Sequence, residues 1–128
     1  MKIVTDYIRN KNIIEEYGKG ELSMEQVGLK YNISRQQVGN ILARHKQLSQ
    51  YAGFDILYEL TQYNSCLMQR LYNSLIKWFG KSDFTVFEIM EIDTYEFSKC
   101  SYVGTTVVEL FVEFKRALMQ KELNKLCK

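Results

Sequence analysis

Proline is absent from this chain of 128 residues, and glycine occurs only seven times. Boundaries between structural elements must therefore be read from the few glycines and from helix caps. No apolar run approaches the roughly 18 residues that a membrane-spanning helix needs. No signal-peptide pattern opens the sequence, and we therefore expect a cytoplasmic protein that does not enter the membrane.

Histidine and cysteine are also scarce. His45 is the single histidine, whereas the common catalytic constellations need a base and an orienting partner. Cys66, Cys100 and Cys127 lie far apart and form no CxxC pair, which argues against a metal site. We therefore predict no enzymatic activity, no cofactor and no bound metal. We interpret His45 as a surface residue at a helix end, and the cysteines as either small packed residues or surface residues.

The formal net charge of +2 is small but unevenly distributed. Residues 1–50 contain eight Lys or Arg and five Asp or Glu, whereas residues 51–128 contain nine and ten. A local excess of basic residues is the electrostatic pattern expected of a surface that meets phosphate. The first 50 residues are therefore where nucleic-acid contacts are expected.

Apolar residues recur at intervals of three and four, which is the spacing of amphipathic helices. This spacing predicts one long helix over 54–79 and another over 106–123. Only the opening segment KIVTDYI, with its β-branched residues, is compatible with a strand, and it could equally extend the first helix. We therefore predict an all-α fold, divided into domains over 1–50 and 51–128.

Five segments have the pattern of a helix cap, in which Ser, Thr or Asp is followed three residues later by Glu or Gln. The two side chains can then satisfy free backbone N–H groups at the helix start. The pairs are Ser23 with Gln26, Ser34 with Gln37, Thr85 with Glu88, Asp93 with Glu96, and Thr106 with Glu109. They predict five helix starts.

The first two caps, at Ser23 and Ser34, lie within the segment LSMEQVGLKYNISRQQVGNILAR, residues 22–44. We predict a helix over about 24–31, a turn at Asn32 and a second helix after Ser34, because asparagine tolerates the left-handed conformation of a sharp turn. Gly28 would let the two helices approach closely. The residues expected to hold the helices together are Val27, Tyr31, Ile33, Val38 and Ile41.

This segment resembles the helix-turn-helix of bacterial and phage regulators and of resolvase, invertase and transposase DNA-binding domains. That pattern has a small residue four places before the turn residue, an apolar residue directly after it, and apolar residues six and nine places after it. The matching residues here are Gly28, Asn32, Ile33, Val38 and Ile41. The preceding NKNIIEEYGKGELS resembles the family's first helix, so the resemblance covers about 9–46. Glycine at 28 and asparagine at 32 replace the more usual alanine and glycine.

The resemblance implies that the second helix lies in the major groove of double-stranded DNA, with its early residues near base edges. Arg35 would pair with guanine, and Gln36 or Asn40 with adenine. The other implied DNA contacts are Ser34 and Gln37 at the start of this helix, and Ser23, Lys30, Arg44 and Lys46 on phosphate. Each polar side chain could instead belong to a solvated helix face.

The second half contains an R-x-x-N-x-L run at Arg70, Asn73 and Leu75, predicted short helices near FTVFEIM and TYEF, and Val103-Gly104 before the last helix. Residues 66–120 thereby resemble the C-terminal domain of the bacterial RNA polymerase α subunit, a helix-hairpin-helix-like domain that binds promoter DNA and activators. The resemblance implies that Arg70 and Asn73 form a second DNA contact. The lysine and serine after the family's glycine, and the basic residue before it, are missing here. This half could therefore serve instead for dimerisation or partner binding.

The sequence thus predicts a small two-part regulator that binds specific DNA sequences through residues 35–44. Two alternatives stay open: a DNA-binding module of a recombinase or transposase system, and a protein-interaction module for RNA polymerase or a host factor. A homodimer is a further expectation, because symmetric operators are common among helix-turn-helix proteins. The first 50 residues are few for an independent fold, and we expect them to pack on the helix that begins near Phe54.

Overall fold

The computed structural model describes the backbone of residues 2–126 and the side chains of residues 7–126. This part of the chain forms eight α-helices and no strand, which confirms the all-α prediction. The helices are α1 (Lys2–Gly18), α2 (Met24–Tyr31), α3 (Arg35–Leu48), α4 (Phe54–Thr61), α5 (Ser65–Phe79), α6 (Val86–Glu91), α7 (Thr94–Ser98) and α8 (Thr105–Leu126). The strand alternative for the opening segment is wrong, because those residues extend α1. None of the helices over 2–126 has the length and apolar character to cross a bilayer.

Four of the five predicted caps begin helices. Ser23, Ser34 and Thr85 form complete capping boxes, in which the hydroxyl oxygen accepts one N–H and the Gln or Glu side chain accepts another. Asp93 caps α7 through its carboxylate. These contacts span three residues or fewer, which is why the local sequence reveals them.

The fifth predicted cap, Thr106, is wrong. The helical hydrogen bonds of α8 already begin at Gly104, whose carbonyl oxygen accepts a bond from the N–H of Val108 at 3.0 Å. Thr106 therefore lies inside the first turn of α8 instead of preceding it.

The long helix predicted over 54–79 is also wrong, because the chain turns between α4 and α5. Gln62 and Tyr63 have φ angles of 50° and 59°, in the left-handed region that an α-helix cannot pass through. The side chain of Asn64 then caps α5 by accepting a bond from the N–H of Leu67 at 3.0 Å. The stripe of apolar residues that predicted one long helix is interrupted between Tyr58 and Leu67, and the turn lies in this interruption.

Two hydrophobic clusters organise the fold. The smaller one joins α1, α2 and α3 through the fully buried Ile13, Val27 and Val38, with Tyr31, Ile33 and Ile41 packed against them. The predicted packing of these apolar residues is therefore confirmed. The larger cluster is formed by α4–α8, and its fully buried aromatic residues are Tyr63, Tyr72, Phe97, Phe111 and Phe114.

The two clusters are in direct contact. Leu48 at the end of α3 belongs to the larger cluster, and Ile14 and Ile41 pack against it. The hydroxyl of Tyr63 donates a hydrogen bond to the carbonyl oxygen of Ile41 at 3.4 Å. The first helices therefore pack on the α4–α5 region, as their small size predicted, and this packing fixes the position of α3.

Candidate nucleic-acid interface

The turn between α2 and α3 is held by Asn32 and Gly28. Asn32 adopts φ 59° and ψ 43°, which is the left-handed conformation that the sequence predicts. The N–H of Ile33 donates to the carbonyl oxygen of Gly28 at 2.9 Å. A β-carbon on residue 28 would lie 2.7 Å from the carbonyl oxygen of Ile33. The close approach predicted at Gly28 is therefore confirmed. The backbone that approaches Gly28 is that of the turn at Ile33 and Ser34, before α3 begins.

The polar residues of α3 lie on its solvent side. The residues of α3 that the sequence proposed as DNA contacts and that are exposed are Arg35, Gln36, Gln37, Asn40, Arg44 and Lys46. On the opposite side Val38 is buried against α1 and α2, and Leu48 is buried in the larger cluster. Because residues three or four apart share a face of a helix, Gln36, Asn40 and Gln47 form one exposed strip. Gln47 was missed by the motif, although the spacing of four and seven residues points to it.

Ser34 and Gln37 are engaged in starting α3. The Oγ atom of Ser34 accepts the N–H of Gln37 at 3.1 Å, and the Oε1 atom of Gln37 accepts the N–H of Ser34 at 2.9 Å. Ser23 makes the same reciprocal pair with Gln26 at the start of α2. These side chains fix the two helix starts, and their hydrogen-bonding atoms are therefore already occupied within the protein.

Lys30 is paired within the protein. Its Nζ atom lies 2.6 Å from Oε1 of Glu16, which joins α2 to α1. This hydrogen bond raises the pKa of the Lys30 ammonium and lowers the pKa of the Glu16 carboxyl. The Lys30 side chain is still 55% exposed. Any phosphate contact by Lys30 must therefore compete with Glu16 for the same ammonium group.

His45 is half-buried at the end of α3 instead of lying on the open surface as expected. Its ring makes edge-on contacts with Phe54, Tyr58 and Tyr63, with ring centroids 5.2, 5.6 and 5.5 Å away. Its Nδ1 atom is buried and has no hydrogen-bond partner among the described residues. Burial lowers the pKa of the imidazole, and the carboxylate of Asp55 acts in the opposite direction. His45 follows Ile41 by one helical turn, which directs it toward α4 and α5.

A groove of mixed polar and apolar lining adjoins the exposed face of α3. Its volume is about 240 Å³, and its lining residues are Asn10 of α1, Asn40, Ile41 and Arg44 of α3, and Tyr63 and Ser65 near the start of α5. The groove brings two predicted residues, Asn40 and Arg44, together with Asn10. No local motif marks Asn10, because α1 and α3 meet only in the folded chain.

Arg70 and Asn73 lie in a second groove, which is mainly polar and has a volume of about 200 Å³. The groove is also lined by Ser74, Lys77, Tyr102, Gly104 and Val107. The Nη2 atom of Arg70 lies 3.8 Å from the place that a β-carbon would take on Gly104. The Nζ atom of Lys77 lies 5.3 Å from the centre of the Tyr102 ring. The fold therefore brings the predicted pair beside the start of α8 and adds Lys77, which the sequence reasoning missed.

The two described cysteines, Cys66 and Cys100, line neither groove. Cys66 is exposed and Cys100 is half-buried, and both are free thiols. Cys127 lies outside the described residues. Comparisons of the chain with protein-family models, with curated proteins and with solved structures gave no match.

Proposed function

We propose that the protein is a small transcriptional regulator of the cytoplasm that binds specific sequences of double-stranded DNA with α3 in the major groove. The observation that supports the proposal is the division of α3 into two faces. One face is packed by Val38 and Leu48, and the other presents polar and basic side chains to solvent. An α-helix fits the major groove, where each base pair offers a distinct pattern of donors and acceptors.

The base contacts are assigned to Arg35, Gln36 and Asn40. All three are exposed, at the first, second and sixth positions of α3. The guanidinium of Arg35 has two parallel N–H donors that match O6 and N7 of guanine. The amide groups of Gln36 and Asn40 can donate to and accept from adenine, and each bidentate pair adds about 1–3 kcal/mol of discrimination.

The phosphate contacts are assigned to the basic residues around this face. Arg44 and Lys46 are exposed on the last turns of α3, and Arg44 also borders the groove with Asn10. Lys30 and the start of α2 at Ser23 lie in the preceding helix, and a helix N-terminus favours a phosphate group. Such contacts set affinity and register without reading sequence.

Arg70 and Asn73 are proposed as a second DNA contact, in which Lys77 takes part. Arg70 and Lys77 bring two positive charges to one groove beside the start of α8. Two positive charges near a helix start would attract a phosphate group. This contact would extend the footprint beyond the few base pairs that α3 can reach.

A second candidate function is protein interaction, with RNA polymerase or a host factor as the partner. The observation that favours it is the exposure of two aromatic residues, Phe87 on α6 and Tyr95 on α7, by 62% and 66%. Aromatic residues are enriched in protein interfaces. The DNA-binding module of a recombinase or transposase system would use the same α3 contacts.

The test is binding of the purified chain to a pool of random duplexes at several salt concentrations, followed by sequencing of the bound fraction. We expect salt-sensitive binding and an enriched sequence motif. Arg35→Ala should cost about 1–3 kcal/mol and relax the preference at one base position. Lys46→Ala should weaken binding to all sequences alike and reduce the salt slope by about one.

Lys99→Ala is the matched control, because Lys99 is an exposed lysine at the end of α7 and lines neither groove. It should leave DNA binding unchanged. Absence of binding even at low salt would overturn the proposal in favour of the protein-interaction function. Equal, sequence-independent losses in the Arg35 and Lys46 variants would show that α3 does not read bases.

A further inference from the structure

α8 has two apolar faces, and only one of them is covered. The covered face consists of Val107, Leu110, Phe111, Phe114 and Leu118, all of which are buried. On the other side Met119, Leu123 and Leu126 are exposed by 50%, 54% and 81%. Large exposed apolar side chains that are contiguous on one helix face mark an interaction surface.

The uncovered face has the spacing of a coiled-coil seam. Its residues are the half-buried Val112 and the exposed Arg116, Met119, Leu123 and Leu126, which follow one another at alternating intervals of four and three. This is the spacing of positions a and d in a heptad repeat, with Arg116 and Leu123 at a and the other three at d. A groove of about 320 Å³ runs along this face and is bordered by Thr94 of α7. We call these five residues the α8 seam.

We propose that the α8 seam pairs with the α8 seam of a second copy of this chain, in the antiparallel direction. The position of Arg116 decides the direction. In a parallel pair, position a faces position a, so two guanidinium groups would share one layer and repel each other. In an antiparallel pair, position a faces position d, and Arg116 of each copy then lies across from Met119 of the other. Val112 lies across from Leu123 in the same register.

The charges beside the seam match a second copy. Lys115 and Glu122 occupy the flanking g positions, and the antiparallel register places Lys115 of each copy opposite Glu122 of the other. Within one copy, the Nζ atom of Lys115 donates to the carbonyl oxygen of Ile92 at 2.6 Å, and Glu122 pairs with Lys125 at 3.5 Å. In the dimer each of the two charges would be shared between this partner and the second copy. Opposite charges at flanking positions determine partner and orientation in helix pairs. Because the same two residues face each other twice, this charged contact is self-complementary, as a two-fold interface requires. Leu126 lies beyond the paired seam residues in this register, across from Glu109 of the other copy.

The proposed dimer surface is separate from the proposed DNA contacts. It lies on residues 112–126 of α8, whereas the DNA contacts are assigned to α3 and to the groove of Arg70. The seam covers only about two heptads, and we therefore expect a weak dimer that becomes populated as the protein concentration rises. Its test needs no DNA, so its failure can be told apart from failure of the proposed function.

The first experiment is sedimentation equilibrium of the full chain over a range of concentrations. We expect a reversible monomer–dimer equilibrium that Leu123→Asp abolishes. Leu29→Asp is the matched control, because Leu29 is 77% exposed on α2, outside the seam, and it should dimerise like the wild type. Far-ultraviolet circular dichroism checks that both variants remain folded. A wild type that stays monomeric at every concentration, or a Leu123→Asp variant that dimerises normally, overturns the proposal.

The second experiment tests the direction of the pair. Chains carrying Val112→Cys and chains carrying Leu123→Cys are mixed and oxidised, in a background with Cys66, Cys100 and Cys127 replaced by serine. We expect disulfides between the two kinds of chain, because positions 112 and 123 face each other only in the antiparallel register. Disulfides formed chiefly between identical chains would overturn the antiparallel direction of the proposed dimer. A monomeric chain that instead binds anionic lipid vesicles would assign the seam to a membrane surface.

Discussion

Gly28 faces the backbone carbonyl group of Ile33 so closely that a β-carbon on residue 28 would lie 2.7 Å from its oxygen. The neighbouring atom belongs to the backbone of a tight turn, so it cannot move away like the end of a flexible side chain. We expect Gly28→Ala to destabilise the protein by about 1–3 kcal/mol, because overpacking of a well-packed site costs this much. Urea unfolding measures the change in free energy.

Gly39→Ala is the control for this prediction. Gly39 lies inside α3, and a β-carbon there would meet only the Sδ atom of Met24, at an ordinary 3.8 Å. Alanine at this position should stabilise the protein by about 0.5–1 kcal/mol, because glycine in a helix interior carries an entropic cost. If both alanine variants change stability in the same direction, the close approach at Gly28 does not determine the turn.

Gln62 lies in the turn that separates α4 from α5, with a φ angle of 50° and an exposed side chain. We expect Gln62→Gly to stabilise the protein by about 0.5–1 kcal/mol, because the left-handed conformation costs a glutamine more than a glycine. Asn32→Gly should bring a smaller gain, since asparagine tolerates this conformation. Thermal or urea unfolding compares the two variants, and a loss of stability in Gln62→Gly would contradict this account of the turn.

For the proposed DNA binding, the ion pair between Lys30 and Glu16 predicts a specific effect. Glu16→Gln removes the charge that holds the Lys30 ammonium, so Lys30 becomes free to contact phosphate. We expect tighter, sequence-independent binding and a steeper dependence on salt concentration. Combining Glu16→Gln with Lys30→Ala should remove the gain. Unchanged binding in the single variant would exclude Lys30 from the phosphate contacts.

Because the imidazole of His45 is partly buried, we expect the protein to lose stability in mild acid. Burial lowers the pKa of its imidazole below the usual value of 6.5, so the unfolded chain binds a proton more readily than the folded one. The contribution of neutral His45 to the free energy of unfolding is therefore fully present above about pH 6.5. It is lost as the pH falls toward the lower pKa of the folded state. The groups that face the ring are Asp55, whose charge opposes the shift, and the aromatic residues Phe54, Tyr58 and Tyr63.

His45→Phe keeps an aromatic ring at this position and removes the titrating group. Unfolding free energies of the wild type and the variant should diverge as the pH falls below about 6.5, with the variant more stable in acid. The difference between the two curves isolates His45 from the carboxylates that also titrate in acid. Parallel curves would show that His45 does not change its proton affinity on folding.

The sequence by itself determined the local features of this protein. The capping boxes of Ser23, Ser34 and Thr85 and the left-handed turn at Asn32 depend on side chains and backbone groups within a few residues of each other. Such interactions recur wherever the same residues occur at the same spacing. The all-α class and the exposure of Arg35, Gln36 and Asn40 follow from the same short-range periodicity.

Only the tertiary structure decided which residues meet across the chain. It divided the predicted long helix at Gln62 and Tyr63, where burial of the Tyr63 ring in the core accompanies a backbone conformation that tyrosine seldom adopts. It also turned His45 inward and paired Lys30 with Glu16. These contacts depend on how separate helices pack, which the spacing of residues within one helix does not specify.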